Sequence, residues 1–527
     1  MSILQANNIS YRFDNGDELF SNISINLNHR RIGLIGRNGV GKSVLISILN
    51  QSLTPQEGQV ISDGLVATFN QELTEIHSKT TTIAGFLEVE NILEALEKIA
   101  EGAMETHWYD TVGDQWQLKQ SLTQTLASLS IPTDLSTPCH QLSGGQLTKL
   151  GLWKAFNSNA DFLLLDEPSN HLDTAGKDWL ENEIANFSGR ILIISHDRRF
   201  LCNLDQIFEL TSLGINKYGG GYDEYFEQKR LEVESTQKKL EQVQQEKKRV
   251  RRQSHLDQEK ADQRAAQGKK LRKQGSQPKV LLDAKKDKAT ASASNRSKNA
   301  SQRESNLQIQ SAELAQKLES QQDQRIYIDN SNSLTKKDIV SLLDCRLPYG
   351  VQQPLTMKVK GNSKVHIQGE NGCGKSTLYN VIEGTLHPRS GECRVNTSVI
   401  KLDQHFTFLI QDKNLLENMS HFCEHLSETE SRTLLAGIGF RRDAVYKNVG
   451  SLSGGEKMKL AVIIISHQKD SPLILLDEPD NHLDLDSKIQ LAAALRSYQG
   501  AFLLISHDLD FVTESGVTEQ CNLSSNF

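Results

Sequence analysis

Two stretches of the chain place a pair of adjacent acids at the end of an apolar run. Phe162 to Asp173 reads F-L-L-L-D-E-P-S-N-H-L-D, and Leu473 to Asp484 reads L-I-L-L-D-E-P-D-N-H-L-D. A short run of large apolar residues fits a strand buried on both faces of a parallel sheet. The acids then emerge at its carboxyl end, where open α/β sheets bind ligands. Asp166 and Asp477 are placed to hold Mg2+, directly or through water. Glu167 and Glu478 are placed to polarise a water for attack on a phosphate. One acidic strand end alone is common and often structural, so the duplication and its partners carry the weight.

The partners are two glycine-rich loops. Residues 32–43 read I-G-L-I-G-R-N-G-V-G-K-S, so a short strand runs into Gly36, Arg37, Asn38, Gly39, Val40, Gly41, Lys42 and Ser43, and Val44 to Leu49 continues as a helix. Residues 365–376 repeat the arrangement with Gly369, Glu370, Asn371, Gly372, Cys373, Gly374, Lys375 and Ser376, followed by Thr377. Glycines let backbone N–H groups curl around a phosphate, and the helix N-terminus adds positive potential. Lys42 and Lys375 would reach the β- and γ-phosphates, and the hydroxyls of Ser43 and Ser376 the metal.

The spacings make the two halves copies of one unit. Lys42 to Gln71 and Lys375 to Gln404 are each 29 positions, as are Glu167 to His196 and Glu478 to His507. Between them lie Leu142-Ser143-Gly144-Gly145-Gln146 and Leu452-Ser453-Gly454-Gly455-Glu456, 24 and 25 positions before their glutamates. A serine and two glycines at a helix start form a second anion-binding N-terminus. The chain is a tandem duplication of a nucleotide-binding unit of roughly 200 residues.

The full set, in this order, resembles the ATP-binding cassette superfamily over roughly 1–225 and 326–527. That resemblance implies two units packed head to tail, with each ATP between one unit's phosphate loop and the other's L-S-G-G-[QE] signature. Site one would pair Lys42, Ser43, Gln71, Asp166, Glu167 and His196 with Ser453 to Glu456. Site two would pair Lys375, Ser376, Gln404, Asp477, Glu478 and His507 with Ser143 to Gln146. Glu167 and Glu478 would orient or deprotonate water, His196 and His507 would contact the γ-phosphate, and Gln71 and Gln404 would sense metal and water. Tyr11, Phe13 and Tyr349 are candidates to stack on adenine, and core packing is an equal reading for each.

Composition separates the middle of the chain from the rest. From Lys238 to Lys298 there are 19 Lys/Arg and 7 Asp/Glu, a net of +12; the formal charge of −7 then leaves −19 on the remainder. A polar helix is expected over roughly Tyr222 to Gln267, with a sparse seam of Leu240, Val243 and Val250. Leu307, Leu314 and Leu318 form another seam on a returning helix, giving an antiparallel hairpin linker over 226–325. Its turn region, Arg249 to Lys288, is basic, and Ser292 to Ser305 is expected to be flexible. A basic segment on an acidic body is drawn to polyanions. The near absence of aromatic residues between 230 and 325 favours backbone and shape contacts with folded RNA over base stacking. In the first half, Gln71 to Ser143 is 72 positions against 49 for Gln404 to Ser453. The extra residues suggest a helical arm within 80–130, with helices over 85–101 and Trp108 to Leu129.

Length sets bounds too: 527 residues exceed one core. The absence of an 18-residue apolar run argues against a membrane span, and the start Met1-Ser2-Ile3-Leu4-Gln5 against a signal peptide. Seven scattered cysteines with no C-x-x-C point to a reducing cytoplasm and away from structural zinc.

Two cassettes, a charged helical linker and D-E-P-x-N-H-L-D in both halves, carried by Asn170 to Asp173 and Asn481 to Asp484, resemble the ABC-F subfamily. The fold expected is α/β: two tandem cassettes, each a mainly parallel sheet with a helical subdomain, joined by a long helical hairpin. The function it implies is a cytoplasmic, Mg2+-dependent ATPase, a monomer with intramolecular cassette pairing. Its expected partners are ATP and the ribosome, through rRNA and tRNA, with no membrane. Val44 stands where Thr is usual in the family and Glu456 where Gln is common; the hydroxyl lost at Val44, near the α-phosphate, is expected to weaken ATP binding or slow turnover at site one. Three alternatives stand beside this reading. A transporter ATPase subunit would bring a membrane partner, a chromosome-maintenance ATPase would need far longer coiled coils, and a scaffold would lack hydrolysis.

Overall fold

A computed structural model describes residues 2–14, 16–70, 81–211, 213–273, 298–299, 301–315, 318, 337–370, 372–403, 406–468, 472–481 and 483–523. The chain divides into two compact units, Met1–Asp223 with Gln324–Phe527, and Glu224–Asp323.

The first unit holds both cassettes. In the amino-terminal one, β1 (Ile3–Arg12), β2 (Glu18–Asn26) and β4 (Glu57–Asp63) form an antiparallel sheet in the order β2-β1-β4. The larger sheet joins β3 (Arg31–Gly36), β5 (Val66–Asn70), β6 (Phe162–Asp166), β7 (Arg190–Ile194), β8 (Gln206–Thr211) and β9 (Gly214–Gly219), in the order β5-β6-β7-β3-β8-β9. All pairings are parallel except the β8–β9 hairpin. The run F-L-L-L-D is buried at every position of β6, as a strand covered on both faces requires.

The carboxyl-terminal cassette repeats the plan. Strands β10 (Asp338–Arg346), β11 (Leu355–Lys360) and β13 (Ser390–Val395) make the small sheet. The parallel sheet runs β14 (Val399–Asp403), β15 (Leu473–Asp477), β16 (Phe502–Ile505), β12 (Lys364–Gln368) and β17 (Glu519–Asn522). Its first four strands correspond, in order, to β5, β6, β7 and β3.

The extra segment of the first cassette folds as helices Ile83–Phe86, Glu90–Ala100, Thr106–Val112 and Leu118–Ser128. The single helix expected from Trp108 to Leu129 is therefore two. Gly113, at φ 48°, turns the chain out of the helical path after Val112.

In the second unit the long helix covers Tyr222–Lys273, six residues beyond the expected end. Leu240, Val243 and Val250 lie on a half-buried stripe that continues through Glu246. The returning run 301–315 is helical, so Ser301 to Ser305 are ordered in a helix rather than flexible; most of 292–300 lies outside the described residues. Leu307 and Leu314 are half-buried, Leu318 is buried, and Arg303 reaches back to Glu246 at 2.6 Å.

Candidate functional site

Parallel pairing in the order β6-β7-β3 lines up three carboxyl ends. Asp166 is opposite Ile194, and Ile194 is opposite Leu34. The loops leaving those strands must therefore meet: Glu167 after β6, Ser195-His196 after β7, and Gly36 to Gly41 after β3. In the second cassette, Asp477 pairs with Ile505 and with Asp403, and His366 with Leu504, giving the same meeting place.

Each phosphate loop ends in a glycine that begins a helix, Lys42–Leu49 or Lys375–Glu383. Gly41 and Gly374 sit at φ 101° and 104°, a region that L residues avoid. A Cβ on Gly41 would come within 2.7 Å of Leu19, and one on Gly374 within 2.9 Å of the Tyr349 carbonyl. Glycine offers no side chain to cap the helix, so the first-turn N–H groups are left to an anion. Lys42 donates to the Gly36 carbonyl at 2.7 Å, and Lys375 to that of Gly369 at 2.7 Å. Val40 and Val44 pack on the apolar core of the first cassette.

Glu167 and Glu478 are strained alike. Both carry positive φ, 47° and 50°, although neither is glycine. Their N–H groups still donate to the sheet, Glu167 to Ile194 and Glu478 to Ile505, each at 3.0 Å. The left-handed turn thus follows directly on a hydrogen-bonded strand and re-aims the carboxylate. Glu167 Oε1 is 3.2 Å from His196 Nε2, and Glu478 Oε1 is 3.7 Å from His507 Nε2.

Burial dominates the electrostatics. It raises Glu167 to about 7, partly offset by the Lys42 ammonium, with Asp166 adding to the rise. Glu478 is raised by burial and by the Asp477 carboxylate. His196 is held well below its usual value by burial and by Lys42 and Lys488. His507 is lowered to about 4 by burial and then by Lys375 and Lys177. Both imidazoles are neutral at pH 7. His507 Nε2 lies 3.1 Å from Lys375 Nζ, so in this arrangement it accepts a hydrogen bond from the ammonium. Burial lowers Lys42 itself.

A cleft of about 430 Å3 at site one is lined by Phe13, Asn38, Gly39, Gly41, Lys42, Ser43, Val44, Asp166, Glu167 and His196, among others. Phe13, half-exposed at 46%, reaches it, whereas Tyr11 packs against the core. Tyr349 is 69% exposed. The donors suit Mg2+, which takes hard oxygen ligands. Ser43 and Asp166 share the cleft, and the Ser376 hydroxyl bonds the Asp477 carboxylate. Burial nevertheless raises Asp477. Gln71, Asn371 and Gln404 lie outside the described residues.

The signatures open helices Gly144–Phe156 and Gly454–Ser466. Both form reciprocal caps: Ser143 and Ser453 accept from the N–H of Gln146 and Glu456, whose side chains accept in return. Glu456 fills this role as well as Gln does.

Several functional contacts were not expected from the sequence. Asp484, which caps helix Leu485–Ser497, also accepts from the Asn38 N–H of the other cassette at 3.1 Å. Arg198 and Glu514 form a two-pronged ion pair between the cassettes. Lys177 is almost buried against Asp197 at 2.7 Å, and Lys488 against Asp508 at 3.0 Å. The available signal was positional: each lysine stands four residues after the capping aspartate, and each acid directly follows its cassette's histidine, His196 or His507.

Two copies of this loop constellation on paired parallel sheets define a tandem ATP-binding cassette protein. Residues 20–170 and 352–481 match the ABC transporter family. The chain is 32% identical over 549 positions to YdiF of Bacillus subtilis (strain 168), covering 97% of this chain and 78% of YdiF. It is 29% identical over 523 positions to ABC transporter F family member 5 of Arabidopsis thaliana, covering 92% and 70%. In fold it resembles the archaeal ribosome recycling factor aABCE1, solved with the archaeal ribosomal stalk protein aP1. There the TM-score is 0.53 at 16% identity over 98% of this chain and 87% of that one. The chain belongs to the ATP-binding cassette superfamily, in its ABC-F subfamily. No helix among the described residues is long and apolar enough to cross a membrane.

Proposed function

We propose that the protein is a Mg2+-dependent ATPase whose cassettes close on two ATP molecules and whose closed form acts on the ribosome. The observation that carries the hydrolytic part is the twin strained glutamate beside a neutral histidine and a phosphate-loop lysine. Phosphoryl transfer asks the protein chiefly for positioning and charge neutralisation. Lys42 and Lys375, with the N–H groups of their loops, hold the β- and γ-phosphates. Ser43 with Asp166, and Ser376 with Asp477, would hold Mg2+, which when bound neutralises phosphate charge. Glu167, held near neutrality, accepts a proton from the attacking water, and Glu478 does the same at site two. His196 and His507, both neutral, contact the γ-phosphate. Phe13 packs on the adenine of site one, and Ser143 to Gln146 and Ser453 to Glu456 close over the opposite sites.

The ribosomal part is supported by ABC-F membership, by the basic 238–298 segment and by the fold shared with a ribosome recycling factor. The hairpin would contact rRNA and tRNA backbones, and hydrolysis would release it. The test is co-sedimentation of the E167Q/E478Q protein with ribosomes, with and without ATP, at two salt concentrations. ATP-dependent, salt-sensitive binding is the expected result. Absence of binding in every condition would leave a tandem ATPase with a different partner.

A further inference from the structure

Two buried lysines that the hydrolytic scheme does not use face each other's sites. Lys177 projects from helix Thr174–Asn186 of the first cassette, and Lys488 from helix Leu485–Ser497 of the second. Each neutralises the acid that follows its own cassette's histidine, Asp197 or Asp508. A buried ammonium needs such a partner and spends its other protons where it can. Here the two lysines differ. Lys177 gives a second hydrogen bond across to the His507 carbonyl of the other cassette, at 3.1 Å. Lys488 is held by two acids of its own cassette, Asp508 and Asp480, and is also drawn by Asp197 of the other.

The difference has a sequence cause. Asp480 occupies the position after the proline in D-E-P-D, and its equivalent in the first half is Ser169. Asp480 is 3% exposed, its Oδ1 has no hydrogen-bond partner among the described residues, and it lines the cavity that also touches Lys177, Lys488, Glu167 and Glu478. Lys488 therefore has a second carboxylate in its own cassette. Lys177 has a serine, not an acid, at that position of its own cassette, and it gives its second hydrogen bond to the opposite site.

We propose that Lys177 is a positioning residue that couples the two ATP sites, because its ammonium joins Asp197, next to His196, to the backbone of His507. Nucleotide that draws His507 onto a γ-phosphate at site two pulls on Lys177 and, through Asp197, on the histidine loop of site one. The coupling rests on the reading of both sites as ATP sites.

The experiment is equilibrium binding of a fluorescent ATP analogue to the full chain in the E167Q/E478Q background, which prevents turnover. Occupancy of one site is expected to tighten the other at least about fivefold, seen as a Hill coefficient above 1. K177M should bring that ratio to about 1, and K177R should restore part of it. Because K177M leaves Asp197 buried without its partner and could unfold the protein, S169D is the second variant. It supplies a carboxylate in the same cassette, keeps every charge partner of Lys177, and should also abolish cooperativity while thermal stability is retained. Two independent sites in the E167Q/E478Q protein, or cooperativity that survives both K177M and S169D, would overturn the coupling and leave the ATP reading standing. No binding of the analogue to any variant would overturn the ATP reading, and the coupling with it.

Discussion

The Asp484 carboxylate accepts a hydrogen bond from the Asn38 N–H, 446 positions away in the phosphate loop of the other cassette. The same side chain caps its own helix through the Ser487 N–H at 2.9 Å. One aspartate thus fixes a helix start and reports on the opposite nucleotide loop. The two roles separate by substitution. D484S keeps a capping oxygen but is too short to span the interface, whereas D484A loses both. ATP hydrolysis should fall severalfold in both variants, in line with one lost hydrogen bond of about 1 kcal/mol. Denaturant stability should fall further in D484A than in D484S, by about 1 kcal/mol, because only D484A also loses the cap. Hydrolysis and stability unchanged in D484S, with the losses confined to D484A, would argue that Asp484 acts only as a cap.

Glu167 sets a pH dependence with a definite sign. Its folded value, about 7, lies above the ordinary 4.5, so between these values the folded state holds more proton than the unfolded one. Stability should therefore decline as pH rises from about 5 to 7.5, by on the order of 2 kcal/mol, and E167Q should flatten that slope. Activity runs the opposite way, since the base must be ionised. A K375A protein, restricted to site one, should show an ascending pH–rate limb with its midpoint near 7. A flat profile through neutrality would remove Glu167 from the role of base.

The sites were legible because their chemistry needs particular residues at particular strand ends, and the duplication repeats the spacing. Gly36 to Ser43, Asp166, Glu167 and His196 are brought together by β6-β7-β3 pairing that the apolar runs already implied. The small antiparallel sheets were not legible. Their strands carry register shifts at Asn8 and Asp344, left-handed residues that break the alternation on which strand reading depends. Lys177 and Lys488 were missed for another reason: a lysine after a helix cap reads as a solvated side chain, and only the fold buries it against an acid 20 positions on. The Arg198–Glu514 pair, 316 positions apart, leaves no local trace at all.

Gly374 tests the phosphate loop itself. G374A places a Cβ against the Tyr349 carbonyl and forces alanine to φ 104°. The strain, about 1–3 kcal/mol, falls on the turn that presents the N–H groups. Binding at site two should weaken more than tenfold with the fold retained, as read by fluorescent nucleotide titration in a K42A background and by circular dichroism. G384A is the control. Gly384 also has positive φ, 84°, but an added Cβ would meet nothing within 4 Å among the described residues and it has no place in the loop, so G384A should lower stability and spare nucleotide affinity.

The basic hairpin predicts a salt dependence that the cassettes do not share. Lys248, Arg249, Arg251 and Arg252 are exposed on helix Tyr222–Lys273. Each phosphate they neutralise releases condensed counterions, so log affinity falls linearly with log salt, by roughly 0.7–0.9 per contact. Replacing all four with glutamine should lower the slope for ribosome or RNA binding by up to about 3 and weaken binding most at low salt. Helix propensity changes little, since Gln, Lys and Arg are close on that scale. ATP hydrolysis without ribosomes should be unchanged, because none of the four belongs to either nucleotide site. An unchanged salt slope would place the nucleic-acid contacts, if any, elsewhere on the chain. A lost basal ATPase would mean that the segment serves the cassettes rather than a polyanion.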